Sequence, residues 1–233
     1  LLHTAHVVLT DKKVFRYARA DQYIAVGRQV EKNLKEYFHI PSRKITTVIN
    51  GVQQAELTHG PSNVLKNTAI TVGRLSEQKG HYYLFEAWKE VVKRIPQAKV
   101  WVLGEGKLKE QLTKQVVKNK LENNVIFKGY QENVTNWMNK AEFVILSSLW
   151  EGLPLTVLEA FSVKKAVIAT SIDGTTELVK NQSTGLLVPP KNSKNLYQAM
   201  SKMISNTEQF NLLKEKARIK VSENFSQKCV WQQ

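Results

Sequence analysis

Glu151 and Glu159 stand eight residues apart in WEGLPLTVLEA, residues 150–160, with a glycine, a proline and an apolar run between them. On one continuous helix they would lie about 12 Å apart along the axis and roughly 80° apart around it. That separation excludes a carboxylate pair sharing one reacting centre. Proline suits a first helical turn, so Gly152 and Pro154 are expected to turn the chain into a helix just after Glu151. Glu151 then precedes the helix, and Glu159 sits about a turn and a half inside it. The free N–H groups around Leu155 and Thr156 would meet a phosphate or sugar oxygens. Each carboxylate can accept from separate hydroxyls, and a carboxylate fits a vicinal diol because it accepts from two at once. The plainer alternative makes Glu159 a solvent-facing residue and Glu151 a charge favoured by the helix dipole. Against it, Leu155, Val157, Leu158, Ala160 and Phe161 leave Glu159 little room for full exposure, and a buried acid needs partners.

A second constellation lies in GRLSEQKG, Gly73 to Gly80, where two glycines bracket Arg74 and Lys79. Glycines admit close backbone approach, and two cations five residues apart on a strand-to-helix loop can hold a pyrophosphate. Taken alone, the loop is better read as a surface turn with solvated charges. It is neither a Walker loop nor a dinucleotide fingerprint, because the glycine spacing and the GK[ST] ending are missing. Two further strand-like runs end in LGEG, containing Gly104 and Gly106, and in FKGY, containing Gly129 and Tyr130. Three successive strands ending in glycine predict a clear crevice along one sheet edge, where a flat base and a ribose could lie.

The elements that must position these residues alternate, short β-branched runs with longer amphipathic ones, which is the rhythm of a parallel α/β sheet. The first series contains LLHTAHVVLT, a helical KKVFRYARA, the strand QYIAVG, a helix over about Arg28 to Phe38, and the strand KITTVIN. A Gly- and Pro-bearing stretch, NGVQQAELTHGPSN, reads as a linker. The second series has strands at TAITVG, AKVWVLG, NVIFKG, EFVILSS, KAVIAT and GLLVPP. Helices are expected between them over about Lys79 to Ile95, Lys107 to Asn119, Val134 to Lys140, Pro154 to Ser162 and Thr175 to Lys180. Two more, near Ser193 to Ser205 and Thr207 to Glu223, close the chain.

The 233 residues, 42% hydrophobic, suffice for one large or two modest cores. With 34 Lys and Arg against 20 Asp and Glu, the formal charge of +14 favours an anionic partner. No recognition motif, zinc pattern or aromatic platform accompanies that charge, so nucleic acid is not expected. One cysteine, Cys229, excludes an internal disulfide framework and a cysteine-cluster metal site. No apolar run approaches a membrane span and no secretory signal is visible, so the chain is read as cytoplasmic. It begins at Leu1 inside an apolar run, which reads as part of something longer.

GRLSEQKG, then SSLWEGLPLTVLEA some seventy residues later, then DGTTELVKNQSTGLLVPP, together resemble the retaining nucleotide-sugar-dependent glycosyltransferases of the GT-B fold, glycosyltransferase family 4. The resemblance runs from about Ala20 to Phe225, and its most specific part is the E-x7-E element at Glu151 and Glu159. It implies that residues 1–55 close an N-terminal Rossmann-like acceptor-side domain, that 56–66 form a linker, that 67–225 form the donor-binding domain, and that 226–233 are a tail. It also implies roles. Arg74 and Lys79, with Gly73, would bind the donor diphosphate and neutralise the departing group. Glu159 would bind the ribose, and Glu151 with the backbone of Gly152, Leu153, Pro154 and Leu155 would hold the donor sugar. Thr156 at the helix N-terminus would add to diphosphate binding, and Gly129 with Tyr130 matches the nucleobase region. A family histidine near the donor sugar matches His6, with His3 as competitor.

The reaction so implied retains the anomeric configuration and is framed as front-face substitution without a protein nucleophile. The donor would be a UDP- or GDP-sugar with no metal or other cofactor required, and the acceptor a carbohydrate or a lipid-linked molecule. Lys12, Lys13, Arg16 and Arg19 form the densest basic run, read first as solvated helix charge and, on the resemblance, as a candidate peripheral contact with the inner face of a membrane. The chain departs from the family pattern at Gln53, where an aspartate is common, and at Asp173 and Gly174, where a glycine pair is frequent. The Gly-rich loop of the N-terminal domain is not in this sequence. Glu177 matches a family glutamate that is usually structural. The competing class of function is a non-catalytic nucleotide or polyanion-binding module.

Overall fold

The structure is a computed structural model that describes residues 1–6, 20–53, 64–206, 210–226 and 229. The expected helix in KKVFRYARA, the basic run from Lys12 to Arg19, most of the expected linker and nearly all of the tail lie outside these residues.

Two parallel sheets carry the chain. The first has the order β1 (Leu2–Ala5), β2 (Gln22–Ala25), β3 (Ile45–Thr47), with α1 (Arg28–Glu36) between β2 and β3. Val30 and Leu34 of α1 pack with Tyr23 and Ala25 into a small core under this sheet. The second sheet contains β4 (Thr68–Val72), β5 (Lys99–Leu103), β6 (Val125–Gly129), β7 (Phe143–Leu146), β8 (Ala166–Thr170) and β9 (Leu186–Val188) in the order β6-β5-β4-β7-β8-β9. Every pairing is parallel. Between these strands run α2 (His81–Arg94), α3 (Lys109–Lys118), α4 (Val134–Lys140), α5 (Leu155–Ser162) and α6 (Asp173–Leu178). After β9 come α7 (Ser193–Ser205) and α8 (Asn211–Asn224).

Strand alternation divides the core around the second sheet in two. Ala69, Val100, Val102, Phe143, Ile145, Ala166 and Ile168 face one core, closed by Leu84, Phe85 and Trp88 of α2 and Met200 of α7. Ile70, Trp101, Leu103, Val144, Leu146, Val167 and Ala169 face the other, closed by Met138 of α4, Val157 and Phe161 of α5 and Ala217 of α8. Both faces are covered by helices, which is why the central strands read as continuous apolar runs rather than as alternating ones. β8, AVIAT, is buried at all five positions.

The order matters more for the site than the layers do. From β4 the chain builds outward through β5 and β6, then crosses back to β7 and builds the other way through β8 and β9. The connections that follow β4 and β7 therefore diverge, leaving a crevice at the carboxyl ends of two adjacent strands.

Helix bounds shift by a few residues. The helix expected from Thr175 starts at Asp173 and ends at Leu178, because the Thr175 hydroxyl turns back to accept from the Ile172 N–H at 3.2 Å and so starts the helix earlier. α1 stops at Glu36 instead of Phe38; His39 takes a left-handed φ of 56° while the Ile40 N–H returns to the Leu34 carbonyl. Residues 207–209 of the last expected helix lie outside the described residues, and its described part is Asn211–Asn224. Beyond it, the Val52 N–H donates to the Phe225 carbonyl at 2.9 Å, returning the end of α8 to the segment that leaves the first sheet. The two sheets also meet at α1, where the Arg28 N–H donates to Glu177 Oε1 at 3.3 Å.

Candidate functional site

The loop after β4 carries Arg74 and Lys79, and the loop after β7 carries Glu151, so both constellations open on the crevice where the strand order reverses. Lys79 ends a single 3-10 turn, Glu77–Lys79, and Gly80 follows with φ 60°. A side chain at Gly80 would collide with the Ser147 carbonyl oxygen, so only glycine lets the turn lie flat against the end of β7. Three bonds fasten it there. The Leu149 N–H donates to the Gln78 carbonyl at 2.7 Å, Ser147 Oγ donates to the Lys79 carbonyl at 2.9 Å, and Gln78 Nε2 donates to the Trp150 carbonyl at 3.0 Å.

Glu151 lies before α5, as expected, and is only 7% exposed. Its carboxylate accepts from Lys79 Nζ at 2.5 Å, Ser148 Oγ at 2.7 Å and Gln78 Nε2 at 3.4 Å. Ser148 is fully buried and its carbonyl accepts from Thr170 Oγ1 at 2.5 Å, which ties the support of Glu151 to β8. Gln78 and Ser148 escaped the sequence reading. Their signal was the polar pair Ser147–Ser148 ending an otherwise apolar strand.

Pro154 caps α5 with φ −72° and offers no side-chain acceptor, so the first turn, at Leu155 and Thr156, presents its N–H groups without a side-chain cap. Leu155 is exposed, Thr156 and Glu159 are half-buried, and Gly152, Leu153 and Pro154 are buried. No donor reaches the Glu159 carboxylate among the described residues. Burial without a compensating partner raises its pKa above the usual carboxylate value. Arg74 is exposed, and no carboxylate pairs with it among the described residues. Among the described residues, the site therefore offers one fixed ion pair, one unpaired cation, one unpaired acid and a helix N-terminus.

The glycine-ended strands act differently from expectation. A side chain at Gly104 would strike the Gly73 carbonyl oxygen, one at Gly106 would fall 2.5 Å from the Leu75 carbonyl oxygen, and one at Gly129 would come 2.8 Å from Glu105 Oε1. The Gly73 N–H donates to the Leu103 carbonyl at 2.9 Å and the Gly104 N–H to the Gly129 carbonyl at 2.7 Å. These glycines let neighbouring loops zip together, so the room they leave is filled by backbone and Glu105 rather than kept as an open trough. Gly73, φ 156°, makes room for Lys79, whose Cε would lie 3.0 Å from a Cβ there. Tyr130, 73% exposed, projects beyond this edge.

His6 follows β1 and is exposed. The register pairs Ala5 with Ala25, which sets His6 level with Val26, one residue before Gly27. The space beside Gly27 is filled by Glu177 Oε2 and Leu153. His6 thus stands at the carboxyl end of the first sheet, and no hydrogen bond joins it to Arg74, Lys79, Glu151 or Glu159 among the described residues. His3 packs edge-on to the Tyr23 ring within that sheet, centroids 5.9 Å apart. Glu177 bonds to the start of α1, consistent with a structural part. Among the described residues no group of three or more His, Cys, Asp or Glu is placed to hold a metal ion, and no helix is long and apolar enough to cross a membrane.

A doubly wound parallel domain with cations and carboxylates at its switch point, facing the end of a second parallel sheet, has the architecture of GT-B glycosyltransferases. Residues 53–220 match the family of glycosyl transferases group 1, and the chain belongs to that family. It is 33% identical over 180 residues to an uncharacterized glycosyltransferase of Methanocaldococcus jannaschii, covering 72% of this chain and 44% of that one. It is 27% identical over 209 residues to N-acetylgalactosamine-N,N'-diacetylbacillosaminyl-diphospho-undecaprenol 4-alpha-N-acetylgalactosaminyltransferase of Campylobacter jejuni, 87% and 56% of the two chains. Its fold is similar to that of Anabaena HepE in complex with UDP-glucose, with a TM-score of 0.90 at 22% identity over 99% of this chain and 70% of that one. The chain spans about half the length of these curated relatives.

Proposed function

We propose that residues 67–225 are the donor-binding domain of a retaining glycosyltransferase of family 4, and that residues 1–55 close its acceptor-side domain. The donor is a nucleoside diphosphate sugar, of the UDP or GDP type, and the acceptor a carbohydrate or a lipid-linked molecule at the cytoplasmic face. The observation that carries this reading is Glu159, a half-buried carboxylate inside α5 with no hydrogen-bond partner among the described residues, on the helix that directly follows Glu151 of the Lys79–Glu151 pair. Ribose hydroxyls would supply the missing donors. An ammonium has three protons, so Lys79 can keep its bond to Glu151 while giving another to a phosphate oxygen. With Arg74 it would neutralise charge growing on the departing diphosphate, the electrostatic help that such a leaving group most needs. Glu151, fixed by three donors, retains one lone pair on Oε2 for a sugar hydroxyl, and His6 would approach the sugar from the first sheet. The HepE complex with UDP-glucose and the undecaprenol-linked relative favour the donor and acceptor classes named.

Calorimetric titration with UDP, GDP, ADP and pyrophosphate tests the reading. One nucleoside diphosphate should bind at least about tenfold more tightly than pyrophosphate, and Glu159→Gln should remove that preference. Equal weak binding of all four, unchanged by Glu159→Gln, would replace the reading with a polyanion-binding module.

A further inference from the structure

A second cleft, of about 530 Å³, opens on the other side of the Ser76–Gly80 turn, between α2 and α3. Arg74, Glu151 and Glu159 take no part in its wall. Its size falls among small-molecule sites, roughly 300–1,000 Å³. Tyr82 and Tyr83 form one side, their rings edge-to-face at 5.3 Å and 88°. Gln111, Gln115 and Lys118 of α3 form the other, with Lys191 arriving from the loop after β9.

Behind this wall, two side chains have buried polar atoms with no hydrogen-bond partner among the described residues. Both ring nitrogens of His81, 2% exposed, lack a partner, and so does Gln115 Oε1. Gln115 is not loose, because its Nε2 donates to the Tyr82 carbonyl at 3.0 Å and to Glu86 Oε1 at 2.8 Å. Burial, with Lys79 nearby, pushes the His81 pKa down to about 4, so the imidazole is neutral and carries one donor and one acceptor. Folded proteins pair nearly all such groups, but these atoms are closed to solvent and lie behind the wall, so the polar side chains that can meet a ligand are those of Gln111, Lys114, Lys118 and Lys191, which line the cleft and are exposed.

The remaining chemistry narrows the class. Perpendicular tyrosine rings cannot sandwich a flat base, whereas the C–H face of a pyranose needs one exposed ring, and Tyr82 is 54% exposed. The wall holds three lysines, Lys114, Lys118 and Lys191, against Glu77 and Glu86, and one anionic group on the ligand would balance it. We propose that this cleft binds a saccharide unit carrying one anionic group, a carboxylate or a phosphate, at a site separate from the nucleotide-sugar crevice. The shared turn couples the two, since Gln78 within it holds Glu151 and the Trp150 carbonyl.

The test is a backbone ¹H–¹⁵N NMR titration of the 233-residue chain with glucuronate and with glucose 6-phosphate, with glucose and with inorganic phosphate, each with and without UDP. Saturable shifts at Tyr82, Tyr83 and Gln115 are expected with at least one anionic sugar, at least about tenfold tighter than with glucose or phosphate. The stronger of the two names the anionic group. Tyr82→Ala and Gln111→Ala, whose remaining resonances report an intact fold, should each abolish the response, and Arg74→Ala should keep it. Shifts confined to the Arg74 and Glu159 regions, an equal response to phosphate alone, or no saturable shift up to roughly 50 mM would overturn the proposal.

Discussion

Lys79 Nζ stands 2.5 Å from Glu151 Oε1, with the two side chains 18% and 7% exposed. The pair joins the loop after β4 to the loop after β7 across the crevice where the sheet order reverses. Removing one member strands the other in a poorly solvated place, and broken buried pairs cost about 3–5 kcal/mol. Lys79→Met is expected at the lower end of that range, because Ser148 and Gln78 still donate to the carboxylate. Lys79→Met with Glu151→Leu should recover much of the loss. Urea unfolding of the three variants measures both effects, and additive losses in the double variant would show that the pair does not act as a unit.

Glu159 should trade stability for binding. Its pKa is raised by burial in the folded chain above the ordinary 4.5. The unfolded chain therefore loses its proton first as pH rises, and stability falls across the interval from 4.5 to the raised value. Glu159→Gln is expected to raise the Tm near pH 7, to leave it nearly unchanged near pH 4, and to weaken nucleotide binding. A variant whose Tm is lowered equally at both values contradicts this account.

His81 drives stability the opposite way with pH. Its folded pKa of about 4 lies below the ordinary 6.5, so the unfolded chain takes up a proton first as pH falls. The stabilisation present above 6.5 is lost progressively toward 4. His81→Phe should flatten the dependence of Tm on pH inside that window, read by thermal melts at several pH values. An unchanged slope would assign the acid sensitivity elsewhere.

Gly80→Ala is a geometric test of the cation loop. The new methyl meets the Ser147 carbonyl at a left-handed φ of 60°, so both backbone strain and overpacking oppose it. The expected loss is about 2–4 kcal/mol, together with weaker diphosphate binding as Lys79 is pushed off Glu151. Gly73→Ala meets only the flexible stem of Lys79 and should cost less. Chemical denaturation of the two variants ranks them.

Much of this was legible in the residues. Continuous apolar runs such as AVIAT announce strands covered on both faces, and Gly152 with Pro154 places Glu151 outside the helix that holds Glu159. The apolar flanks of Glu159 foretell its partial burial, because an eight-residue helix packed on a sheet leaves few positions open. The Lys79–Glu151 bond was not legible, since its partners lie 72 residues apart and only the sheet order makes them neighbours. The strand-end glycines were legible as places of close approach, but not as to what approaches. A glycine records a missing Cβ, and here carbonyls of adjacent loops take that space at Gly104 and Gly106. The early start of α6 depended on which way one hydroxyl, that of Thr175, turned.

The bond from Arg28 to Glu177 bears on how readily the two sheets part. It is long, at 3.3 Å, and uses one carboxylate oxygen, while the other, Oε2, is buried with no donor among the described residues. Separation would forfeit a weak bond but would hydrate an oxygen that is starved of protons when closed, which offsets the loss. The contact therefore behaves as a loose latch, locating α1 against α6 without locking it, and the crevice it overlooks can admit a ligand at small energetic expense.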